Sequence, residues 1–309
     1  MLRQALLYLS RQKQIFAFIR TNPLAKRAAS RFVAGETLDS AVAAVRDLNA
    51  KGITATLDLL GESVTNDGEA RAAVAGAISI LDRIAADKLQ ANLSVKLTQL
   101  GFDLDPALFG EHICRILDRG TALGIFVRID MEGTAHTERT LNLFERELYP
   151  VYGDGVGIVI QSYLRRSAAD IERLIAAKAK VRLCKGAYVE PASIAFPAKN
   201  DVDRSYVQIT ERLLLSSQYH AVATHDPAII EQVKRFAKDK GIAAERFEFQ
   251  MLYGIRRDLQ RTLRADGYNV RVYVPFGTQW YPYLMRRLAE SPSTLAFIPW
   301  SVVKESLHR

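Results

Sequence analysis

Cysteine is nearly missing from this chain. The two present, Cys114 and Cys184, stand far apart and outside any CxxC, which excludes a disulfide framework and a thiolate zinc site and points to a reducing compartment. The five histidines form no HxH or HExxH pair, so no metal site is expected. No run approaches the roughly 18 apolar residues of a membrane span, and stretches such as 155–160 are strand-sized. No Gly-x-Gly-x-x-Gly follows the first strand-like run, which counts against a doubly wound dinucleotide-binding sheet. Acid is missing from residues 1–31, which carry Arg3, Arg11, Lys13, Arg20, Lys26, Arg27 and Arg31. The net charge of +8 therefore sits almost wholly in that block. It lacks interleaved aromatics at a recognised spacing, so no nucleic-acid partner is expected. It also lacks a signal-peptide apolar region with a small-residue cleavage site, so the expected location is cytoplasmic. The block reads as a solvated helical arm, with contact to anionic lipid or a partner, or a targeting role, as the alternatives.

What the chain has is ordinary globular material, 49% hydrophobic and 25% charged over 309 residues, enough for a sizeable core. Residues 1–50 read as a helical arm broken at Asn22-Pro23. Within it Thr37 caps a helix whose inner face is Leu38, Ala41, Val42 and Val45. Beyond that point short apolar runs recur at 55–60, 93–97, 125–129, 157–160, 181–183, 219–223, 246–249 and 270–274. Helical periodicity lies between them at 70–86, 109–123, 168–177, 207–217 and 227–238. Eight strands alternating with helices over about 220 residues fit a (β/α)8 barrel better than an open sheet. Val, Ile and Leu on both strand parities suit parallel strands covered on both faces. No low-complexity linker divides residues 51–309, which form one expected catalytic domain.

In such a barrel, active sites collect where strands exit. The exits read Asp58 and Glu62, then Lys96, then Asp130, Met131 and Glu132, then Gln161. They continue with Arg182 and Lys185, Thr224-His225-Asp226, Glu248 and Gln250, and finally Arg271 and Tyr273. Lys96, Arg182 and Glu248 interrupt apolar strands, and buried charges require partners. A functional mouth is the expectation, with a structural ring of salt bridges as the alternative. After the eighth strand comes Tyr283-x-x-Arg286-Arg287-x-x-Glu290, whose ion pairs at helical spacing would alone suit an ordinary surface helix.

Taken together, six motifs resemble the proline dehydrogenase family. They are Ser94-Val95-Lys96-Leu97, Arg128-Ile129-Asp130-Met131-Glu132, Arg182-Leu183-Cys184-Lys185-Gly186-Ala187-Tyr188, Ala223-Thr224-His225, Phe247-Glu248-Phe249-Gln250-Met251-Leu252-Tyr253-Gly254 and the arginine-pair motif just given. They stand in the family's order across roughly residues 50–300, and the size resembles the small monofunctional bacterial type. Cys184 departs from the family's expected Val.

The resemblance implies a distorted, FAD-bearing barrel with a final helix over its mouth. It implies oxidation of L-proline to Δ1-pyrroline-5-carboxylate, electrons passed to a membrane quinone, peripheral contact with the inner face of the membrane, and handover of product to a pyrroline-5-carboxylate dehydrogenase. Arg286, Arg287 and Lys96 are then expected to hold the substrate carboxylate, with Glu290 offsetting surplus charge. Tyr273, Tyr283 and Leu252 are expected to wall the ring. Arg182 is expected beside flavin N5, where negative charge develops, and Asp130 to position Arg287 or Tyr273 rather than to manage the amine proton. Met131, Gln161, Lys185, Gly186, Ala187, Thr224 and His225 are expected along the cofactor, with Gly186 permitting close backbone approach. The rival reading is a Schiff-base aldolase using Lys96 or Lys185, whose amine would need a depressed pKa.

Overall fold

The structure, a computed structural model, describes residues 29–290, and the side chains of residues 288–290 lie outside the description. Its strands are β1 (Thr54–Leu59), β2 (Ala91–Val95), β3 (Val127–Ile129), β4 (Val156–Gln161), β5 (Lys180–Cys184), β6 (His220–Ala223), β7 (Phe247–Leu252) and β8 (Asn269–Phe276). All pair in parallel with their sequence neighbours, and β8 closes onto β1 with Ala55 opposite Val272 and Leu57 opposite Val274. Each of the eight apolar runs carries one strand of a closed barrel, as the sequence alternation predicts.

The helices of nine residues or more are α1 (Leu38–Asn49), α2 (Asp67–Ala86), α3 (Pro106–Leu123), α4 (Thr134–Leu143), α5 (Ser167–Ala176), α6 (Lys199–Leu214), α7 (Pro227–Asp239), α8 (Arg257–Ala265) and α9 (Trp280–Glu290). Local chemistry sets their starts. Thr37 caps α1 through a reciprocal box with Ser40, and Asp226 caps α7 with Pro227 at the first helical position, where no N–H is needed. α1 buries Ala41, Val42, Val45 and Leu48 and lies against β1 and β8. The segment before it is also seated on the barrel: Phe32 and Val33 are buried, and the Ala34 amide donates to the Pro275 carbonyl at 2.9 Å. Of the seven cations in the basic N-terminal block, only Arg31 falls among the described residues.

The strands are covered on both faces, and the charges that interrupt them, Lys96, Arg182 and Glu248, all have partners. Alternate strand positions are polar and bonded to one another, as the period of two requires for one face. They form two layers. At the carboxyl ends of the strands, Lys96 meets Asp58 at 2.7 Å and Arg182 meets Asp130 at 2.8 Å. At the opposite end, Arg271 Nε donates to both oxygens of Glu248 at 2.9 and 3.0 Å. Glu248 and Arg271 were expected at the mouth. Each lies near the start of its strand, so the pair is a structural salt bridge at the closed end.

Candidate active site

A cavity of about 750 Å³ opens at the carboxyl ends of the strands, a size typical of sites for small ligands and cofactors. Its wall gathers every expected site residue except Glu290, whose side chain lies outside the described residues. From the β2 exit comes Lys96, from the β3 exit Asp130 and Met131, from β4 Gln161, and from β5 and its exit Arg182, Lys185, Gly186 and Ala187. Thr224 and His225 follow β6, while Leu252 ends β7 and Tyr273 lies on β8. α9 brings Tyr283, Arg286 and Arg287, so the final helix closes over the mouth.

Asp130 is the hub of this wall. One oxygen accepts from Arg182 Nη1 at 2.8 Å and from Ser94 Oγ at 2.7 Å. The other accepts from the Tyr273 hydroxyl at 2.7 Å. The Arg182 guanidinium also lies 5.3 Å from the Tyr273 ring centre, within cation–π range. Four strands are thereby tied through one carboxylate. Burial first, then the charge of Asp130, hold the Tyr273 phenol well above its ordinary pKa, so it stays a donor. No contact joins Asp130 to Arg287 among the described hydrogen bonds, and Tyr273 is the partner the geometry selects.

Lys96 sits in a buried pair with Asp58. Burial alone pulls its pKa down, but the carboxylates of Asp58 and Asp130 leave it raised, so it remains a cation. Arg286 donates to Glu62 at 2.7 Å, and Arg287 lies 5.4 Å from the Tyr283 ring centre. Glu62, from the β1 exit, is thus a carboxylate partner of this pair; the Glu290 side chain, expected to offset the surplus charge, lies outside the described residues. Lys185 is held at 2.5 Å by Asp203 and 3.2 Å by Asp226. Gln161 donates to the carbonyls of Met131 and Glu132 at 2.8 and 3.0 Å, which fixes its amide with Oε1 buried and unbonded. His225 Nε2 accepts the Leu252 amide at 2.8 Å. Burial, then Arg287 and Arg256, lower its pKa to about 4, so the ring is neutral near pH 7.

Gly186 meets a packing demand within the protein itself. At φ +109 its backbone suits glycine, and an added Cβ would lie 2.2 Å from the Tyr163 ring, so the missing side chain makes room for Tyr163. Sequence reasoning placed Asp58, Glu62, Glu132 and Asp226 at the strand exits, where the structure also has them, but named no partner for any of them. The usable signal was charge balance, since a mouth lined by seven lysines and arginines requires carboxylates from the same strand exits. Glu132, for example, is buried and accepts from both the amide and the hydroxyl of Thr98.

The profile of the family described as "Proline dehydrogenase" matches residues 41–299. This chain belongs to the proline dehydrogenase family. It is 41% identical to proline dehydrogenase 1 of Bacillus subtilis subsp. natto over 99% of this chain and 100% of that one. It is also 41% identical to proline dehydrogenase of Deinococcus radiodurans, over 89% of this chain and 90% of that one. Among solved structures it resembles proline utilization A of Bdellovibrio bacteriovorus inactivated by N-propargylglycine, with a TM-score of 0.80 and 27% identity. That match covers 85% of this chain and 32% of the larger protein. The mouth geometry described above is thus the geometry of a proline dehydrogenase family barrel.

Proposed function

We propose that this chain oxidises L-proline to Δ1-pyrroline-5-carboxylate with bound FAD and passes the electrons to a membrane quinone. The observation that carries the proposal is the meeting, in one cavity, of an α9 arginine pair for a carboxylate with the Arg182–Asp130–Tyr273 cluster. The cavity residues suit a flavin. Gln161 Oε1 is a buried acceptor with no partner, and Arg182 Nε and Nη2 are buried donors with none. A flavin ring edge offers the complementary imide N–H and ring nitrogens, and unsatisfied buried polar atoms are costly. Gln161, Arg182, Lys185, Gly186, Ala187, Met131, Thr224 and His225 would hold it. When bound, FAD supplies a two-electron acceptor for hydride, chemistry that no side chain provides.

The protein's part is binding, orientation and electrostatics. Arg286, Arg287 and Lys96 anchor the carboxylate, a bidentate guanidinium geometry being the one suited to it. Tyr273, Tyr283 and Leu252 confine the pyrrolidine ring, so the carbon beside nitrogen faces the acceptor in one pose. Loss of hydride from that carbon and of a proton from nitrogen leaves the C=N of the product. Arg182 places positive charge where negative charge accumulates on reduction, and Asp130 fixes that guanidinium and the Tyr273 hydroxyl together. A quinone acceptor calls for peripheral contact with the membrane. No helix among the described residues is long and apolar enough to cross one, and the bulk of the basic block lies outside the described residues. The product imine would pass to a pyrroline-5-carboxylate dehydrogenase.

The Schiff-base reading fares worse on two observations. Lys96 is a raised, carboxylate-paired cation, and Lys185 lies between two aspartates, whereas a nucleophilic amine needs the opposite environment. Purified protein decides between them. A yellow protein whose flavin band bleaches with L-proline supports the dehydrogenase reading. A colourless protein that forms a borohydride-trapped adduct at either lysine would replace it.

A further inference from the structure

The closed end of the barrel contains a second cavity, of about 490 Å³, lined by Arg128, Lys180, Arg271, Lys88, Glu248 and Tyr219 among others. Its charge balance is unusual. Glu248 is fully engaged, by Arg271, by Gln250 at 2.5 Å and by the Tyr219 hydroxyl at 3.2 Å. Arg271 completes its own bonding with the Ala55 carbonyl at 2.7 Å. That leaves Arg128 without a carboxylate. Its side chain is 4% exposed, its Nη1 donates only to the carbonyls of Ile158 and Lys180 at 3.0 and 2.6 Å, and its Nε has no partner. Lys180, beside it, pairs with the solvent-exposed carboxylate of Asp154 at 3.4 Å, donates to the Asp154 carbonyl at 3.2 Å and lies 5.9 Å from the Phe126 ring centre.

The fold makes deliberate room for this guanidinium. A Cβ on Gly157 of β4 would lie 2.6 Å from Arg128 Nη1 and 2.6 Å from the Lys180 carbonyl, so only glycine there lets the arginine reach both carbonyls. The guanidinium lies 4.6 Å from the Phe126 ring centre, but no carboxylate of the described residues touches it. A buried guanidinium without a carboxylate in contact is costly in a folded protein and is a ready oxyanion ligand.

We propose that the closed end of the barrel binds a small oxyanion, of the carboxylate or phosphate class, between Arg128 and Lys180. This site faces the opposite end of the barrel from the substrate mouth and shares none of the residues that line the mouth.

The test is the thermal unfolding midpoint of the FAD-loaded protein, titrated with inorganic phosphate or with acetate at ionic strength held constant with chloride. At least one anion is expected to raise the midpoint saturably, and comparing the two arms identifies the class. Arg128→Met and Lys180→Met should each weaken half-saturation by about tenfold or more, the scale of one charged contact, while Arg286→Met should leave it unchanged. If Arg128→Met does not fold, Lys180→Met decides. No saturable rise with either anion means the cavity holds water only and overturns the proposal. An equal rise in all variants, or loss of the effect in Arg286→Met, overturns it as well.

Discussion

Asp130 binds three side chains from three other strands, Ser94, Arg182 and Tyr273, so one carboxylate sets the orientation of a cation and a phenol at once. Asp130→Asn keeps the shape and removes the charge. Loss of one charge-assisted bond is worth about 1.5–3 kcal/mol, so flavin reduction by proline is expected to slow by about 10- to 100-fold while FAD stays bound. Rapid-mixing absorbance measures both, and an unaltered reduction rate would reduce Asp130 to packing. The histidines give a second residue-scale expectation. His220 and His225 both have pKa values lowered to about 4, chiefly by burial, and each accepts a backbone amide through a ring nitrogen. Their folded values lie below the unfolded value of about 6.5, so the unfolded chain binds more protons between the two. Stability is therefore fully present above pH 6.5 and falls as pH drops toward 4. Denaturant midpoints measured across that window should decline, and His220→Gln with His225→Gln should flatten the decline.

At the scale of elements, α1 tests how far the barrel extends beyond its strands. Its capping box and buried face place it in the same core as β1 and β8. Thr37→Ala should cost about 1 kcal/mol, seen as a lower denaturant midpoint with an unchanged slope. A changed slope would mark α1 as a separately melting unit. The strands were legible because each carries a short Val, Ile or Leu run between breaks. α4 and α8 were not legible, because α4 buries Thr137, Thr140 and Leu141 and α8 buries Gln260 and Leu263, too little apolar surface for a periodic signal. The same limit explains the misplaced charges. Arg271 and Tyr273 share a face of β8 two residues apart, yet one faces the closed end and the other the mouth. Composition names the inward residues; only the strand's start tells which end each serves.

For the whole molecule, barrel closure is what converts scattered strand exits into a site. Lys96 and Arg182 are separated by more than eighty residues, and α9 arrives last, yet all line one cavity. The motif around Arg286 and Arg287 was ambiguous alone, because its helical spacing equally suits a surface helix. Its meaning came from co-occurrence with the strand-exit residues, and what co-occurrence left out is the pairing, since Glu62 was legible as a strand-exit acid but not as the partner of Arg286. The central claim is that α9 lays a carboxylate anchor across the barrel mouth. Its most direct test is anaerobic flavin reduction at varied L-proline concentration in the wild type, Arg286→Met and Arg287→Met. The account predicts bleaching in all three, with half-saturation raised roughly 30-fold in each variant, the equivalent of about 2 kcal/mol for a lost charged contact. Wild-type half-saturation in both variants would contradict it.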